Sequence, residues 1–475
     1  MSVKFGIDFG TTNTATVKVV DDKYGVRYEN IGYPGDIPIP TVIALNKKTG
    51  EISFGMDAKE IRNEANPDFH TFSSLKSYLD QEKPLVVSGK VWSPIKLTTE
   101  FFKKLKEYVR AKSVGNYDIE EAVIAIPVDS SHEQRKNLLK AANNAGIKVS
   151  KFISEPTAAY FKYKEEVKGY SKVAVFDWGG GTLDISILEN KQGQIYELSV
   201  HGARLGGNDI DYAIAEAIHN DLVSKTGINI SFEEMEDIYR NKLLSKAEDA
   251  KIDLCHDSEA LISLFRYGQF GNQNLYLREE RMYELIKPLI IKAYKVLDEC
   301  LKKAGLVTEQ LGCILMVGGS SKIKPIRLIM EEACKKANIK VIYPDDAQWS
   351  IADGAAKVAL SKSGYRLNSD VGILLSDNTI YKIFERGEAI PSVKHELSLA
   401  LVEDNRIANF ILVDSKMKTI KRIPIKAKGF LEETFKVVGE IDSDLIAKVT
   451  IGSGSFDSNT HHTEEIRGLS FYYNL

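Results

Sequence analysis

The stretch KVAVFDWGGGTLDISIL, residues 172–188, decides the fold. In it, an apolar strand-like run ends near Asp177, a turn of three glycines and a threonine follows, and a second strand-like run begins. The N-terminal stretch VKFGIDFGTTNTATVKVV, residues 3–20, has the same order of strand, aspartate, turn and strand. Each stretch predicts a β-hairpin. Because Asp8 and Asp177 are 169 residues apart, far more than a solenoid repeat, the pattern indicates two related halves.

The rest of the chain divides into a mixed part and a strand-rich part. Residues 1 to about 170 and about 171 to 363 would be equivalent lobes if the hairpins mark a duplication. Residues 371–453 contain mostly short alternating runs with turn signals, which predict a small all-β domain, assigned to 371–475, without a helical lid. A short polar joint, 364–370, lies between them. The predicted fold is therefore an α/β domain of two duplicated lobes at 1–363, followed by a β-rich domain.

Helical periodicity in the first part predicts helices at 98–112, about 232–253, about 279–304 and from Lys324. A further helix follows the apolar strand 121–127. Ser130 and Glu133 have capping-box spacing at its start, and Gly146 stands where a C′ glycine is expected. In the strand-rich part, two strand-like runs flank a turn at 443–444 and predict a hairpin.

Composition excludes several classes of protein. Of the 475 residues, 43% are hydrophobic and 27% charged, which argues against intrinsic disorder. The formal net charge of -3 disfavours a nucleic-acid partner. Four widely spaced cysteines predict neither a disulfide framework nor a zinc site, and the absence of GxxxxGK[ST] excludes a P-loop. No run approaches 18 apolar residues and no cleavage site is present, so we expect a cytoplasmic protein without a membrane partner.

Both hairpin turns combine glycine with small polar residues, an arrangement that leaves backbone N–H groups free to bind an anion such as phosphate. The residues are Gly10, Thr11, Thr12 and Asn13 in the first turn and Gly179, Gly180, Gly181 and Thr182 in the second. Asp8 and Asp177 are placed to hold a hydrated magnesium ion, since Mg²⁺ keeps several waters and needs few carboxylates. Two such turns across a cleft would clamp a polyphosphate. For each turn alone, an ordinary Gly/Thr hairpin is the alternative.

Two further glycine pairs could complete such a site. The apolar strand in MVGGSSKIKPI, residues 316–326, ends in Gly318 and Gly319 and runs into a helix, which gives a flat surface for a planar group. An ordinary strand-to-helix turn is the favoured alternative there. Gly206 and Gly207, in LGGND, open a helix whose N-terminus could face phosphate.

Seven motifs occur in the order found in one protein family. They are GIDFGTTNT, AVIAIP…HEQR, ISEPTAA, VFDWGGGTLDISIL, ARLGGNDID, AEDAKIDL and LMVGGSSKIKPI. In this order the chain resembles the DnaK-type, seventy-kilodalton heat-shock chaperones from residue 3 to about 360, and more faintly to about 453. The combination of SEPTAA, DWGGGTLDIS and LGGNDID is typical of this chaperone branch rather than of the wider superfamily of actin, sugar kinases and chaperone ATPases.

The resemblance implies an actin-like ATPase domain with ATP or ADP and Mg²⁺ at the base of an interlobe cleft. Asp8 and Asp177 would hold the waters of the metal ion, and the two turns would surround the β- and γ-phosphates. Lys76, in FSSLKSYL, stands in the place of the family's catalytic lysine, Glu155 would help to position the attacking water, and Thr182 belongs to the same catalytic set. Without the resemblance, Lys76 would be a solvated helix lysine.

The resemblance also implies residues near the adenosine and in a signal relay. Glu248 and Lys251, in AEDAKIDL, match family positions near the adenosine. Lys322 replaces an arginine that stacks on adenine in many members, and a lysine offers no planar face. Pro127 and Arg135 match a proline switch and a relay arginine, for which a strand-end proline and a surface arginine are the simpler alternatives. The other residues implied to bind the nucleotide are Gly206, Gly207, Gly318, Gly319 and Ser320.

The chain departs from the family pattern in four places. The segment 343–356 is about three residues longer than usual, on the adenosine side. GYRLNSDVGILL replaces the acidic, leucine-rich interdomain linker, and Lys151 and Ser154 stand where Arg and Asn often serve J-protein cochaperones. No helical lid follows the strand-rich part, so we expect a trapped peptide to leave faster.

These observations predict a short, lidless DnaK-type chaperone, an ATPase of slow turnover that controls the binding of unfolded or extended polypeptide segments. A J-domain cochaperone and a nucleotide-exchange factor would be its further partners, although the departures leave their use open. Three alternatives remain: an ATP-binding partner protein with little or no turnover, a small-molecule kinase on the same fold, and an actin-like filament former.

Overall fold

The structure is a computed structural model that describes residues 2–64, 66–79, 84–87, 89–127, 130–361, 364–402, 406–429, 433–443, 445–453, 461–466 and 469–474. It divides into two units. The first comprises Met1–Asn190 and Glu197–Ser361, and the second comprises Lys191–Tyr196 and Lys362–Leu475.

The strands of the first unit, of which β14 begins in the second, are β1 (Ser2–Phe9), β2 (Asn13–Asp22), β3 (Gly25–Asn30), β4 (Ile39–Pro40), β5 (Val42–Asn46), β6 (Ile52–Phe54), β7 (Phe69–Ser73), β8 (Leu85–Val87), β9 (Lys90–Trp92), β10 (Glu121–Ile126), β11 (Lys148–Ser154), β12 (Lys172–Trp178), β13 (Leu183–Lys191), β14 (Gln194–Ala203), β15 (Glu259–Leu264), β16 (Gln273–Arg278), β17 (Cys313–Val317) and β18 (Lys340–Ile342). Its α-helices are α1 (Met56–Asn63), α2 (Pro94–Lys112), α3 (His132–Asn144), α4 (Glu155–Lys162), α5 (Lys164–Val167), α6 (Gly207–Thr226), α7 (Asp237–Asp253), α8 (Glu279–Ala304), α9 (Lys324–Lys336) and α10 (Ser350–Leu360).

The first large sheet has the strand order β11-β10-β1-β2-β3, with β4 also paired to β2. Strands β1 and β2 run antiparallel from the pair Ser2 and Asp21 to the pair Phe9 and Thr14, so the predicted N-terminal hairpin is confirmed. Strand β10 runs parallel to β1, and β11 runs parallel to β10. Apolar side chains of β1, β10 and helices α2 and α3 form the core on this sheet.

The second large sheet has the order β18-β17-β12-β13-β14 within the first unit. Strands β12 and β13 form the other predicted hairpin, antiparallel from the pair Lys172 and Glu189 to the pair Trp178 and Leu183. Strand β17 runs parallel to β12, and β18 runs parallel to β17. Both large sheets therefore contain a central hairpin with two parallel strands on one side. Helices α6, α7, α8 and α9 supply apolar side chains to the core of the second sheet.

Helix α10 packs against α4 and β1 at very short range. A Cβ atom at Gly354 would overlap the backbone carbonyl of Ala158, and one at Gly6 would overlap the backbone of Ala356. These two glycines therefore permit a backbone approach that any larger residue would prevent. The close packing fixes α10 on the face of the first sheet.

All five predicted helices are present, but three of them begin at other residues than expected. The helices predicted at about 279–304 and from Lys324 are α8 and α9, whereas the helix predicted at 98–112 is α2, which begins earlier, at Pro94, because Ser93 caps it. The capping box of α3 lies at Ser131 and Gln134, one residue later than predicted, because Ser131 Oγ accepts the Gln134 N–H and Gln134 Oε1 accepts the Ser131 N–H. Helix α7 begins at Asp237 rather than near 232, since the N–H and hydroxyl of Ser231 both donate to Glu234 and close a turn there.

The second unit contains, besides residues 194–196 of β14, the strands β19 (Gly364–Leu367), β20 (Val371–Leu374), β21 (Ile380–Phe384), β22 (His395–Ala400), β23 (Ile407–Asp414), β24 (Thr419–Lys426), β25 (Thr434–Ile441), β26 (Ala447–Ser453), β27 (His461–Ile466) and β28 (Phe471–Asn474). Among the described residues of this unit, every regular element is a strand.

Two four-stranded antiparallel sheets enclose the core of the second unit. Their orders are β21-β20-β23-β24 and β22-β25-β26-β27. The predicted hairpin at 443–444 is the β25–β26 connection, whose last pair joins Ile441 to Ala447, although residue 444 lies outside the described residues. A third sheet pairs β28 with both β19 and residues 194–196. Residues 364–367 of the predicted joint thus belong to a strand.

No helix in the described ranges combines the length and apolar character needed to cross a bilayer.

Candidate functional site

Two aspartates occupy the same position in the two hairpins. Asp8 is the second-last residue of β1, and Asp177 is the second-last residue of β12. The residues that follow them, Phe9 and Trp178, are fully buried in the apolar cores. Because successive strand residues point to opposite faces of a sheet, both carboxylates point away from those cores.

Lys76 joins these carboxylates from a short 3₁₀ helix, Leu75–Tyr78. Its Nζ lies 2.5 Å from Oε1 of Glu155, the first residue of α4. The Ser154 hydroxyl oxygen accepts the N–H of Thr157 at 3.3 Å, so the helix begins at Glu155 and its positive end stabilises that carboxylate. The Lys76 and Glu155 side chains are only 17% and 9% exposed. The pair is therefore largely removed from water.

Burial and neighbouring negative charge change the pKa values of this cluster. Burial first, and then Glu155, raise the pKa of Asp8 to about 7, although Lys76 opposes them. Burial, Glu155, Asp8 and Asp184 hold the pKa of Asp177 well above its usual range. Burial lowers the pKa of Lys76, but Glu155, Asp8 and Asp184 outweigh it, so that pKa is raised. Four carboxyl groups therefore share one ammonium group.

This excess of negative charge fits a divalent cation. Mg²⁺ prefers oxygen ligands and keeps several of its waters, so two carboxylates can hold it without ligating it directly. In the ranges that the structure describes, no group of three His, Cys, Asp or Glu side chains is arranged to bind a metal ion. Asp8 and Asp177 could hold a hydrated ion here, and this role stays a prediction.

Asp184 was not among the residues predicted from the sequence. It pairs directly with Asp177 across the β12–β13 hairpin. Residues opposite each other in an antiparallel pair share one face of the sheet, so both carboxylates point to the same side. The signal was present in the sequence, because a turn at 179–182 makes Asp184 the partner of Asp177.

The two predicted phosphate turns meet each other. The Gly179 N–H donates to the Thr182 carbonyl at 2.9 Å and closes the second turn. A Cβ atom at Gly180 would lie 2.7 Å from Oγ1 of Thr12 in the first turn, and one at Gly181 would lie 3.9 Å from the same atom. The second turn can approach the first this closely only because glycine has no side chain.

The other residues of the first turn surround Thr12. Gly10 and Thr11 precede it, and Asn13 begins β2, where it pairs with Pro40 of β4. The N–H of Thr41 donates to the Thr12 carbonyl at 2.8 Å. Strand β4 and the residue after it therefore hold this turn in place.

The LGGND and GGS motifs converge on the second turn. The N–H of Gly207 donates to the Gly179 carbonyl at 3.0 Å, and the N–H of Asn208 donates to the Gly180 carbonyl at 2.7 Å. The Ser320 hydroxyl also donates to the Gly179 carbonyl, at 2.9 Å. Three glycine motifs that are distant in the sequence are thus joined by hydrogen bonds.

At two positions in these motifs the surrounding structure requires glycine. A Cβ atom at Gly206 would overlap the Gly180 carbonyl. Gly318 has a φ of 81°, and a Cβ atom there would lie 2.6 Å from Oδ1 of Asp177. By contrast, a Cβ atom at Gly319 would meet nothing within 4 Å. The GGS motif therefore packs against the aspartate on one side and borders open space on the other.

The residues predicted near the adenosine are held by ion pairs. The Lys59 Nζ lies 2.9 Å from Oε1 of Glu248 and so joins α1 to α7. The Lys251 Nζ lies 2.7 Å from Oδ1 of Asp211 and 3.3 Å from the Gly207 carbonyl. Burial raises the pKa of Glu248, but Lys59 outweighs it and the pKa is lowered. Burial raises the pKa of Asp211 to about 6 despite Lys251.

The segment predicted to be about three residues longer contacts a distant loop. The side chains of Gln348 and Trp349 both donate to the Asp36 carbonyl, at 3.1 and 3.2 Å. Asp36 has a φ of 60°, and Trp349 is fully buried. Asp36 acts electrostatically on Lys322, whose pKa is lowered mainly by burial. The longer segment therefore positions a loop on the Lys322 side of the site.

Pro127 and Arg135 lie at the junction between β10 and α3. The Pro127 carbonyl accepts the N–H of Ser130 at 3.1 Å. The Arg135 Nη1 donates to the Ser130 carbonyl at 2.7 Å. Both residues contact the segment that begins α3, and their relay roles remain predictions.

Comparisons with known proteins show which family the chain resembles. The family model described as "Hsp70 protein" matches residues 74–414. The chaperone protein DnaK of Mycoplasmopsis agalactiae is 34% identical, over 74% of this chain and 58% of the relative. The chaperone protein DnaK of Mycoplasmopsis pulmonis is 33% identical, over 74% of this chain and 57% of the relative. The chain therefore spans less than three fifths of the length of these two relatives.

Proposed function

The chain belongs to the Hsp70 family, and from this premise we propose that it is an ATP-dependent molecular chaperone of the DnaK type. Its first unit would be an actin-like ATPase that hydrolyses ATP to ADP and phosphate at a slow rate. Hydrolysis would control the affinity of the second unit for unfolded or extended polypeptide segments.

One observation carries the proposal: a buried lysine–glutamate pair lies among the carboxylates at the ends of the two hairpins. The Lys76 ammonium is held 2.5 Å from Glu155 and acts electrostatically on Asp8 and Asp184. Phosphoryl transfer depends mainly on positioning and on stabilising charge at the phosphate oxygens. Lys76 would stabilise that charge, and Glu155 would orient the attacking water and accept its proton. A lysine kept only for solubility would be exposed.

The two turns would bind the phosphates of the nucleotide. Their backbone N–H groups offer donors, and the Thr12 and Thr182 hydroxyls could add further hydrogen bonds. Mg²⁺, when bound, would neutralise charge on the β- and γ-phosphates. Asp8 and Asp177 would hold its waters, which the excess of negative charge in the cluster supports.

The remaining predicted residues would complete the nucleotide site. The residues that would contact the phosphates or the adenosine are Gly10, Thr11, Asn13, Gly179, Gly180, Gly181, Gly206, Gly207, Glu248, Lys251, Gly318, Gly319, Ser320 and Lys322. Hydrogen bonds between the glycine motifs support this assignment. Pro127 and Arg135 would report the state of the nucleotide from the start of α3.

We infer that the first unit arose as two duplicated lobes, each built on one large sheet. The shared arrangement of a central hairpin beside two parallel strands supports this inference. We also propose that residues 371–475 form a small all-β domain for substrate binding, after a joint at 364–370. Among the described residues, the edge strands of the two four-stranded sheets are β21, β24, β22 and β27, and an extended peptide would add as a further strand at such an edge.

Partners beyond the polypeptide client are part of the same proposal. A J-domain cochaperone would accelerate hydrolysis, and an exchange factor would release ADP.

Single-turnover hydrolysis tests the proposed function. The experiment mixes Mg·ATP with the wild type, with Lys76→Ala and with Lys103→Ala as a matched control, because Lys103 is exposed on α2. We expect the wild type and the control to release phosphate, and Lys76→Ala to bind ATP without cleaving it. An apolar test peptide should change the wild-type rate.

Two other results would change the conclusion. If the wild type binds ATP and does not cleave it, the chain is better explained as an ATP-binding partner protein. If the peptide does not change the rate of hydrolysis, the ATPase assignment stands, and the proposal that hydrolysis controls the peptide affinity of the second unit is wrong.

A further inference from the structure

Arg327 lies beside the GGSSK turn, in the first helical turn of α9. Its Nε donates to the Ser321 carbonyl at 3.1 Å. Ser321 directly precedes Lys322, so the Arg327 side chain lies against the turn that carries this lysine. Arg327 is half-buried.

Tyr343 lies against the Arg327 side chain. The guanidinium carbon lies over the Tyr343 ring, 5.1 Å from its centre. The Tyr343 hydroxyl donates to the Arg327 carbonyl at 3.1 Å. A guanidinium group placed over an aromatic ring can offer its other face to a second planar partner. The pair could therefore serve as a platform for a planar group.

The surroundings of this platform belong to the base side of the proposed nucleotide site. Cys255 follows Glu248 and Lys251 at helical spacing, and its Sγ contacts the Lys251 carbonyl at 3.6 Å. Arg327, Lys322 and Lys251 all act electrostatically on Cys255. Arg327 therefore lies near the same thiol as the two lysines predicted near the adenosine.

A nucleotide base needs a planar partner, and the predicted residues do not supply one. Lys322 carries a compact ammonium group that can attract negative charge but cannot stack. Gly319 borders open space, so a planar group could lie beside the GGSSK turn. Arg327 provides both the charge and the plane at this turn.

We propose that Arg327, placed over the Tyr343 ring and anchored to the Ser321 carbonyl, is the residue that binds the purine base of the nucleotide. This inference rests on the proposed function, because it presumes that the cleft binds ATP. Arg327 determines affinity for the base, whereas the hairpin turns bind the phosphates. Lys322 then contributes charge only.

Equilibrium binding of Mg·ATP and Mg·ADP, measured by calorimetry on the full chain, tests the inference. Arg327→Lys keeps the positive charge and removes the plane, so we expect an affinity about 5- to 10-fold lower because the planar contact of the guanidinium group with the base is lost. Lys322→Arg in the Arg327→Lys background returns a guanidinium group to the turn and should restore most of the loss. Arg110→Lys, an exposed position on α2, is the matched control and should bind as the wild type does.

The outcomes separate three conclusions. If Arg327→Lys binds ATP as tightly as the wild type, the inference is wrong and the proposed function is untouched. If it binds more weakly, unfolds at a lower temperature and is not rescued by Lys322→Arg, Arg327 is a brace for the turn, which also overturns the inference. If the wild type itself binds neither nucleotide, the proposed function fails.

Discussion

The Lys76 ammonium lies 2.5 Å from the Glu155 carboxylate, although the two residues are 79 positions apart. This contact joins a short 3₁₀ helix to the first residue of α4. Because both side chains are largely buried, water solvates neither charge well, and each charge depends on the other for stabilisation. The position of the lysine therefore depends on the glutamate, and the proposed reaction requires both.

Glu155→Gln should lower the single-turnover rate of ATP hydrolysis by about 100-fold or more, because the amide cannot accept a proton from the attacking water. Affinity for Mg·ATP should change little, since the phosphate turns are intact. Glu165→Gln, an exposed position on α5, is the control. Hydrolysis of the Glu155 variant at the wild-type rate would contradict the assigned role.

Asp184→Asn should slow hydrolysis by about 10-fold or more, because one of the four carboxyl groups around Lys76 loses its charge. Phosphate release from bound ATP measures the effect. Asp249→Asn, on the exposed side of α7, provides a comparison of the same chemistry away from the cluster. An unchanged rate would show that Asp184 only packs within its hairpin.

Lys59→Gln should speed the release of a fluorescent ADP about fivefold, because the ion pair with Glu248 joins α1 to α7 beside the proposed adenosine contacts. A partly buried pair of this kind contributes about 1 kcal/mol. Lys246→Gln removes a surface pair from the same helix and should leave release unchanged. Release that is equally fast in both variants would argue against a role for the Lys59 pair.

Gly354→Ala should lower the free energy of unfolding by about 3 kcal/mol, since the new methyl group overlaps the Ala158 carbonyl where α10 meets α4. Gly169→Ala is the control, because a Cβ atom there meets nothing within 4 Å. Urea unfolding followed by circular dichroism compares the two. Equal urea midpoints for the two variants would mean that α10 and α4 accommodate the methyl group without loss of stability.

Mg·ADP should slow the reaction of Cys255 with N-ethylmaleimide. Cys255 is half-buried, whereas Cys300, Cys313 and Cys334 are buried, so it should be the first thiol to react. It follows Glu248 and Lys251 at helical spacing, and a bound base would cover it. Mass spectrometry of digested samples identifies the labelled residue, and Cys255→Ser confirms the assignment. Labelling that nucleotide does not slow would place the base elsewhere.

The hairpins and the long helices could be predicted because their signals are local. Alternation around Asp8 and Asp177 gave both hairpins, and helical periodicity gave α8 with its observed ends. The predicted start of α3 was wrong by one residue. Two adjacent serines both satisfy the capping-box spacing, Ser130 with Glu133 and Ser131 with Gln134. The choice between them is made by the geometry of the chain entering the helix, which the pattern does not contain.

The site was only partly predictable for a related reason. Asp184 follows from hairpin register and could have been found, whereas the contact of Trp349 with the Asp36 carbonyl joins residues 313 positions apart. Nothing near Trp349 in the sequence indicates that partner. The same holds for Arg327 and Tyr343, whose contact depends on how α9 packs beside β18.

Helix α10 covers strands that are made much earlier during synthesis of the chain. Ala15, Val17 and Val19 of β2 share one apolar cluster with Trp349, Ala352 and Ala356. On the ribosome, these β2 side chains stay uncovered until more than three hundred further residues have been added, on the order of tens of seconds at usual elongation rates. A nascent chain of this protein therefore exposes an apolar strand surface for that interval, and it would need protection from aggregation until α10 has been made.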